Sequence, residues 1–322
     1  MGRVVSNPLR AGLAAALAVL LIAGLIVSQL GGRAATLQVA DPPGPVQSGS
    51  SPATAAGHSG LTRSSIFSGP SSHPDPPSVR PQVTPGCALS FDAQAAAVPA
   101  GNCTVLEVGD SIGTDLGLGI SRHLAPGSGL QLVAMDRTST GLANTGFWDW
   151  PVALVTYIQE YHPQLVLICL GGNDQQGITA EGSGFAFGSQ SWQSVYLARV
   201  QEMISAATQA GAYVVWVGLP VMQQPSFNRG VAYLDGLYAR AVAGAQHAAF
   251  ISTWSLLASA KGGYASDAQV NGARAGLRDA DGVHLTDTGE DVMGTYVIEQ
   301  TASVLHVSLV AANPVTITGR YG

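Results

Sequence analysis

Three short polar segments of this chain hold residue types that together could transfer an acyl group: a nucleophile, a base with its acid, and an amide donor. The first is VGDSIGTD, residues 108–115, at the end of an apolar run. A serine at a strand-to-helix turn, here Ser111, exposes its hydroxyl and can aim its own N–H at developing negative charge. Gly109 and Gly113 complete a G-x-S-x-G pattern, which also marks the nucleophile elbow of α/β-hydrolases. Taken alone, the segment reads as a Gly-rich turn with a helix cap. The second is RDADGVHLTDTG, residues 278–289, where Asp281 precedes His284 by three positions. In a turn leading into a helix both side chains reach one place. The carboxylate then fixes the imidazole tautomer and leaves the other ring nitrogen for a serine. Asp279 is a competing acid at a less suitable spacing, whereas Asp287 and Glu290 suit the N-terminus of the following helix. The third is LGGND, residues 170–174, whose Asn173 amide could donate to an oxyanion. Alone, it reads as an Asx turn closing a strand. A softer piece is STGLANTGFWDWP, residues 139–151, where Gly141 could add a backbone N–H. Its aromatics, Phe147, Trp148 and Trp150, either line a substrate groove or cover the core.

These segments need elements to hold them. Short aliphatic runs recur at 103–109, 130–136, 164–172, 212–220 and 248–253, separated by helical stretches. In the stretch before 212, Tyr196, Val200, Met203 and Ala207 fall at helical spacing. Further helices are expected over roughly 229–246 and after Thr286. Five strands alternating with helices imply a parallel sheet covered on both faces, an α/β fold built as a three-layer α/β/α sandwich. In such sheets chemistry gathers at the carboxyl ends of the strands, where the polar segments lie.

Each segment is modest alone, but their order is specific: Gly-Asp-Ser after the first strand, a glycine after the second, G-x-N-D after the third, and D-x-x-H near the end. Over about residues 103–305 this resembles the SGNH, or GDSL-type, hydrolase superfamily. It is particularly similar to extracytoplasmic SGNH domains with an STGL…DWP segment and a DGVHLT ending. The resemblance implies a flavodoxin-like sheet, Ser111 as nucleophile, His284 as base and Asp281 as its orienting acid. It implies an oxyanion hole from the Ser111 and Gly141 N–H groups and the Asn173 side chain. Ile112 stands where the superfamily has leucine. The early serine and the tight Asp–His spacing separate this pattern from the α/β-hydrolase elbow.

Lysine and arginine number 14 against 20 acids, a net charge of −6 without a basic stripe, which excludes a nucleic-acid partner. No Cys/His cluster has metal spacing, and the reading needs neither metal nor organic cofactor. Residues 11–30 form an uncharged apolar run behind Arg3 and Arg10, long enough to cross a bilayer as an anchor; a cleaved signal ending near 32–35 is the alternative. Either places the remainder outside the cytoplasm. The expected organisation is an anchor or signal (1–35), a Pro/Ser/Gly-rich spacer (36–85), a catalytic domain (86–310) and a tail (311–322). Cys87 and Cys103 could form a disulfide or stay as thiols, and Cys169 reads as a small core residue. The functional expectation is an extracytoplasmic serine esterase or O-acyltransferase acting on acyl groups of cell-envelope carbohydrates. A lipase- or thioesterase-like hydrolase and a silent glycan-binding module are the alternatives. The segment 175–190 reads as a surface loop rather than a lid.

Overall fold

The computed structural model of the protein describes residues 87–90 and 101–322. The anchor or signal and the spacer expected over 1–85 lie outside the described residues. Among the described residues no helix is long and apolar enough to cross a membrane.

The central sheet has five parallel strands: β1 (Cys103–Gly109), β2 (Leu130–Ala134), β3 (Leu165–Cys169), β6 (Tyr213–Val217) and β7 (Ala248–Ile251). Their order is β2-β1-β3-β6-β7, the flavodoxin-like arrangement in which the first strand lies inside the sheet. Because both faces are covered, the inner strands are mainly apolar runs rather than alternating ones, with the buried Glu107 of β1 as an exception; β2, at the edge, is less buried. Val105, Leu167, Val215 and Val217 face one layer, with Ile112, Leu116 and Ile120 of α1 (Ser111–His123) and Val292 and Val297 of α5 (Asp287–Val304). Leu106, Val108, Val166, Ile168 and Trp216 face the other. That layer comprises α2 (Trp150–Tyr161), α3 (Gln190–Gln209) and α4 (Pro225–Ala243). The five expected strands and the three-layer architecture are thus present.

Local chemistry sets the helix starts. The side chains of Asp110, Asp149, Ser189 and Thr286 each accept a backbone N–H as N-caps of α1, α2, α3 and α5, and Pro151 and Pro225 sit in first turns. The weak helix former in this set is α1, with three glycines in thirteen residues. Packing explains them. A Cβ on Gly119 would lie 2.0 Å from the Glu290 carbonyl oxygen, and one on Gly294 would lie 2.3 Å from the Gly119 carbonyl carbon. Helices α1 and α5 therefore cross backbone against backbone. Gly113 and Gly117 in turn leave room for the buried carboxyl of Glu107 and the half-buried Asp136 beside it.

Two features differ from the sequence expectation. The segment 175–190 carries a small hairpin, β4 (Ile178–Ala180) with β5 (Ser183–Phe185). The expected tail contains β10 (Ile317–Gly319), paired antiparallel with β8 (Asp267–Val270), which pairs with β9 (Ala273–Gly276). The last residues are thus part of the folded unit. Cys87 and Cys103 are joined as a disulfide, and Cys169 is free and buried.

Candidate active site

Strand β1 ends at Gly109 and α1 begins at Ser111, so the serine stands at the first helical position, at the carboxyl edge of the sheet. Across from it, the chain doubles back at 278–285, where Arg278 and Leu285 form an antiparallel bridge and the Gly282 N–H donates to the Asp279 carbonyl. Gly282 has φ +70°, and a Cβ there would meet Gln223 at 2.4 Å, so the turn requires glycine. Inside this turn Asp281 Oδ1 accepts the N–H groups of Val283 and His284 at 2.8 and 3.0 Å. Its Oδ2 lies 2.6 Å from His284 Nδ1, and His284 Nε2 lies 2.8 Å from Ser111 Oγ. The three-residue spacing now has a physical reason: one carboxylate closes the turn with one oxygen and orients the imidazole with the other. Burial alone would raise the Asp281 pKa. The His284 ring and the two N–H bonds outweigh it and hold the carboxyl below its usual range. With Nδ1–H donating to the carboxylate, Nε2 is left to accept from the serine hydroxyl.

Two buried aspartates tie the segments together. Asp110 Oδ1 accepts the Ile112 N–H, while its Oδ2 accepts the Gly171 and Gly172 N–H groups at 3.0 and 2.7 Å. The residue beside the serine thereby holds the loop that carries Asn173. Burial pushes its pKa up to about 6, despite these three donors. Asp115, one turn into α1, accepts the Leu285 N–H at 2.9 Å and fixes the histidine loop to the serine helix. Burial raises it to about 7, with the facing His284 opposing the rise. Arg278, also buried, donates to the carbonyls of Val221 at 2.7 Å and Val283 at 2.6 Å, clamping the same loop from below.

On the loop held by Asp110, Asn173 Nδ2 donates to the Thr140 carbonyl at 2.9 Å, which leaves it a second N–H. Gly141 follows directly and backs onto Asp174, where an added Cβ would lie 2.2 Å from Oδ1. Glycine is therefore demanded there by packing, whatever its N–H does. Asp174 accepts the Leu142 and Ala143 N–H groups and the Tyr196 hydroxyl, and Arg199 donates to the Leu142 and Ala143 carbonyls. Ser139, with φ +61°, holds a left-handed conformation that costs a non-glycine residue about 1 kcal/mol. The loop is pinned by these bonds at Leu142 and Ala143 and is strained at Ser139, the kind of outlier that clusters at functional sites.

The structure thus brings Ser111, His284 and Asp281 into one relay, and sets Gly141 on the loop after β2 and Asn173 on the loop after β3, joined by the Asn173–Thr140 bond. The three aromatics divide. Trp150 is fully buried and its Nε1 donates to the Thr140 hydroxyl. Trp148 is half-buried and Phe147 is exposed. Asp110, Asp115, Asp174 and Arg278 were not singled out by sequence as structural ties. The only signal was their placement inside or beside the motifs. Among the described residues no group of His, Cys, Asp and Glu could hold a metal ion.

The sheet order, with this Ser–Asn–Asp–His set at its carboxyl edge, defines an SGNH-type α/β/α domain. Residues 104–300, more than half of the chain, match the family DUF459, described as a protein of unknown function, and the chain belongs to that family. A comparison with curated proteins found no match. Solved structures similar to it include TesA, at 22% identity and a TM-score of 0.44, covering 63% of this chain and 99% of that one. An acetylxylan esterase from Geobacillus stearothermophilus is similar at 14% identity and a TM-score of 0.43, covering 62% and 94%. The esterase EstA from Pseudoalteromonas sp. is similar at 12% identity and a TM-score of 0.43, covering 62% and 97%. At these values the likeness says nothing of substrate or reaction.

Proposed function

We propose that the protein is a serine esterase or O-acyltransferase of the SGNH type, working through an acyl-enzyme. The observation that carries this is the unbroken relay Ser111 Oγ–His284 Nε2–Asp281, at 2.8 and 2.6 Å. His284 takes the Ser111 proton as Oγ attacks an ester carbonyl, and the imidazolium forms beside the Asp281 carboxylate. The Ser111 N–H, the free Asn173 N–H and the Gly141 N–H are the donors proposed for the oxyanion. His284 then protonates the departing alcohol. A water or an acceptor hydroxyl, deprotonated by the same histidine, releases the acyl group from Ser111. Water gives hydrolysis and a sugar hydroxyl gives transfer.

The apolar run at 11–30 and the Pro/Ser/Gly-rich spacer support an extracytoplasmic setting, tethered to the membrane or secreted. Within that setting the proposed substrates are short acyl esters, acetyl above all, on cell-envelope carbohydrates. A fluorophosphonate probe tests the nucleophile. The wild type is expected to label at a single site and Ser111→Ala to remain unlabelled while keeping its circular dichroism. A folded wild type that does not label would refute the reading. Hydrolysis of short against long acyl esters tests the substrate class, since a preference for long chains contradicts the acetyl assignment.

A further inference from the structure

Resting on that esterase reading, we propose that Arg137, held over the Trp148 ring, is a specificity subsite for a negatively charged group on the acyl-bearing substrate.

The position of Arg137 is fixed at both ends. Its N–H donates to the Gly109 carbonyl at 2.8 Å, two residues before Ser111, and its own carbonyl accepts the Thr140 hydroxyl at 2.5 Å. Thr140 is the residue whose carbonyl takes the Asn173 amide. Arg137 thus stands between the serine turn and Gly141 on the loop after β2, at the carboxyl edge of the sheet.

Its side chain is equally constrained. The guanidinium carbon lies 4.0 Å from the centre of the Trp148 ring. Trp148 packs edge-on against Trp150 at 6.0 Å, and Trp150 is anchored to Thr140. A closed circuit of Arg137, Trp148, Trp150 and Thr140 therefore holds the cation in place.

Most other described arginines are engaged differently. Arg122 and Arg274 pair with carboxylates, while Arg199, Arg278 and Arg320 donate to backbone carbonyls or other acceptors. Among the described residues no carboxylate pairs with Arg137, which is exposed. A guanidinium stacked on an indole keeps its N–H donors in the ring plane, where they match the paired oxygens of a carboxylate or phosphate. The chain as a whole carries a net charge of −6, so its overall field disfavours an anionic ligand, and a fixed cation at the rim supplies the local attraction. Phe147, exposed in the same turn, adds an apolar surface for the uncharged part of such a substrate.

The test measures kcat/KM for three acetylated probes: an oligogalacturonide bearing carboxylates, a glucose 1-phosphate, and a neutral xylo-oligosaccharide. The wild type is expected to favour at least one charged probe over the neutral one by about fivefold, the scale of an exposed but oriented ion pair. Which probe is favoured identifies the anion. Arg137→Gln should bring the ratio to about one, and Arg137→Lys should retain part of it. Salt at about 1 M should shrink the wild-type ratio. Ratios within one preparation do not depend on the fraction of active protein. A wild type without charge preference, or a preference that survives in Arg137→Gln, overturns the subsite. In that case turnover of p-nitrophenyl acetate by the wild type leaves the esterase reading standing. A wild type inert to that ester and to the fluorophosphonate overturns both.

Discussion

His284 meets Asp281 through one ring nitrogen and Ser111 through the other, and the relay is partly open to solvent, with side-chain exposures of 23% for His284 and 34% for Asp281. That openness bears on how much the acid contributes. Replacing the buried acid of a serine protease triad by its amide costs about 10⁴ in kcat through the wrong tautomer. Here water can reach the imidazole, so Asp281→Asn is expected to lower kcat by about 10²–10³-fold on p-nitrophenyl acetate. The asparagine oxygen can still accept the Val283 and His284 N–H groups, which keeps the turn. A loss below tenfold would mean that Asp281 does not orient the base. The serine, histidine and their acid were legible in sequence because types and spacing restrict them. Asp110 and Asp115 were not legible as ties: a buried aspartate that accepts distant N–H groups has the same letter as one that merely caps a helix. Their partners lie 61 and 170 residues away.

At the scale of elements, strands were the readable part. β1 occupies Cys103–Gly109, the span its apolar run marked, because a strand buried on both faces has no polar alternation to blur its ends. The sheet β10-β8-β9 was invisible for the opposite reason. Its strands, DAQV, ARAG and ITG, are three or four residues long and carry too little apolar surface to show a period. Glycine in α1 misleads in another way: by propensity it argues against a helix, whereas the crossing with α5 needs it. Gly119→Ala is expected to destabilise the fold by about 3 kcal/mol, since the added methyl meets the Glu290 carbonyl backbone rather than a movable side chain. Urea denaturation should show this shift. Gly184→Ala, where an added Cβ meets nothing within 4 Å, is the reference. Equal midpoints for the two variants would refute the close crossing.

For the molecule as a whole, the buried acids set the response to pH. Burial raises the pKa of Asp110 and Asp136 to about 6 and of Asp115 and Asp235 to about 7, from 3.8, and burial, then the neighbouring Asp136, raises Glu107 well above its usual value. Glu107 and Asp136 offer only acceptors when both are ionised, so a proton between them supplies the missing donor. In each case the folded state binds protons more tightly than the unfolded chain. The resulting stability is fully present below about pH 4 and is lost as pH rises through 6–7. Among the described carboxyls with a resolved shift, Asp281, held low, acts in the other direction, and it does so at the acid end. The melting temperature is therefore expected to be higher at pH 5 than at pH 8 by about 5 °C or more. Calorimetry at the two pH values checks it, and a melting temperature that rises toward pH 8 contradicts it. The disulfide between Cys87 and Cys103 has a mechanical consequence. Any force transmitted by the preceding residues enters the domain at the first residue of β1. That strand is flanked by β2 and β3, so the load is taken in shear by two rows of hydrogen bonds. It enters about 20 Å from the strand's far end. A tug on the chain would be absorbed at the amino edge of the sheet while Ser111, at the opposite edge, keeps its aim.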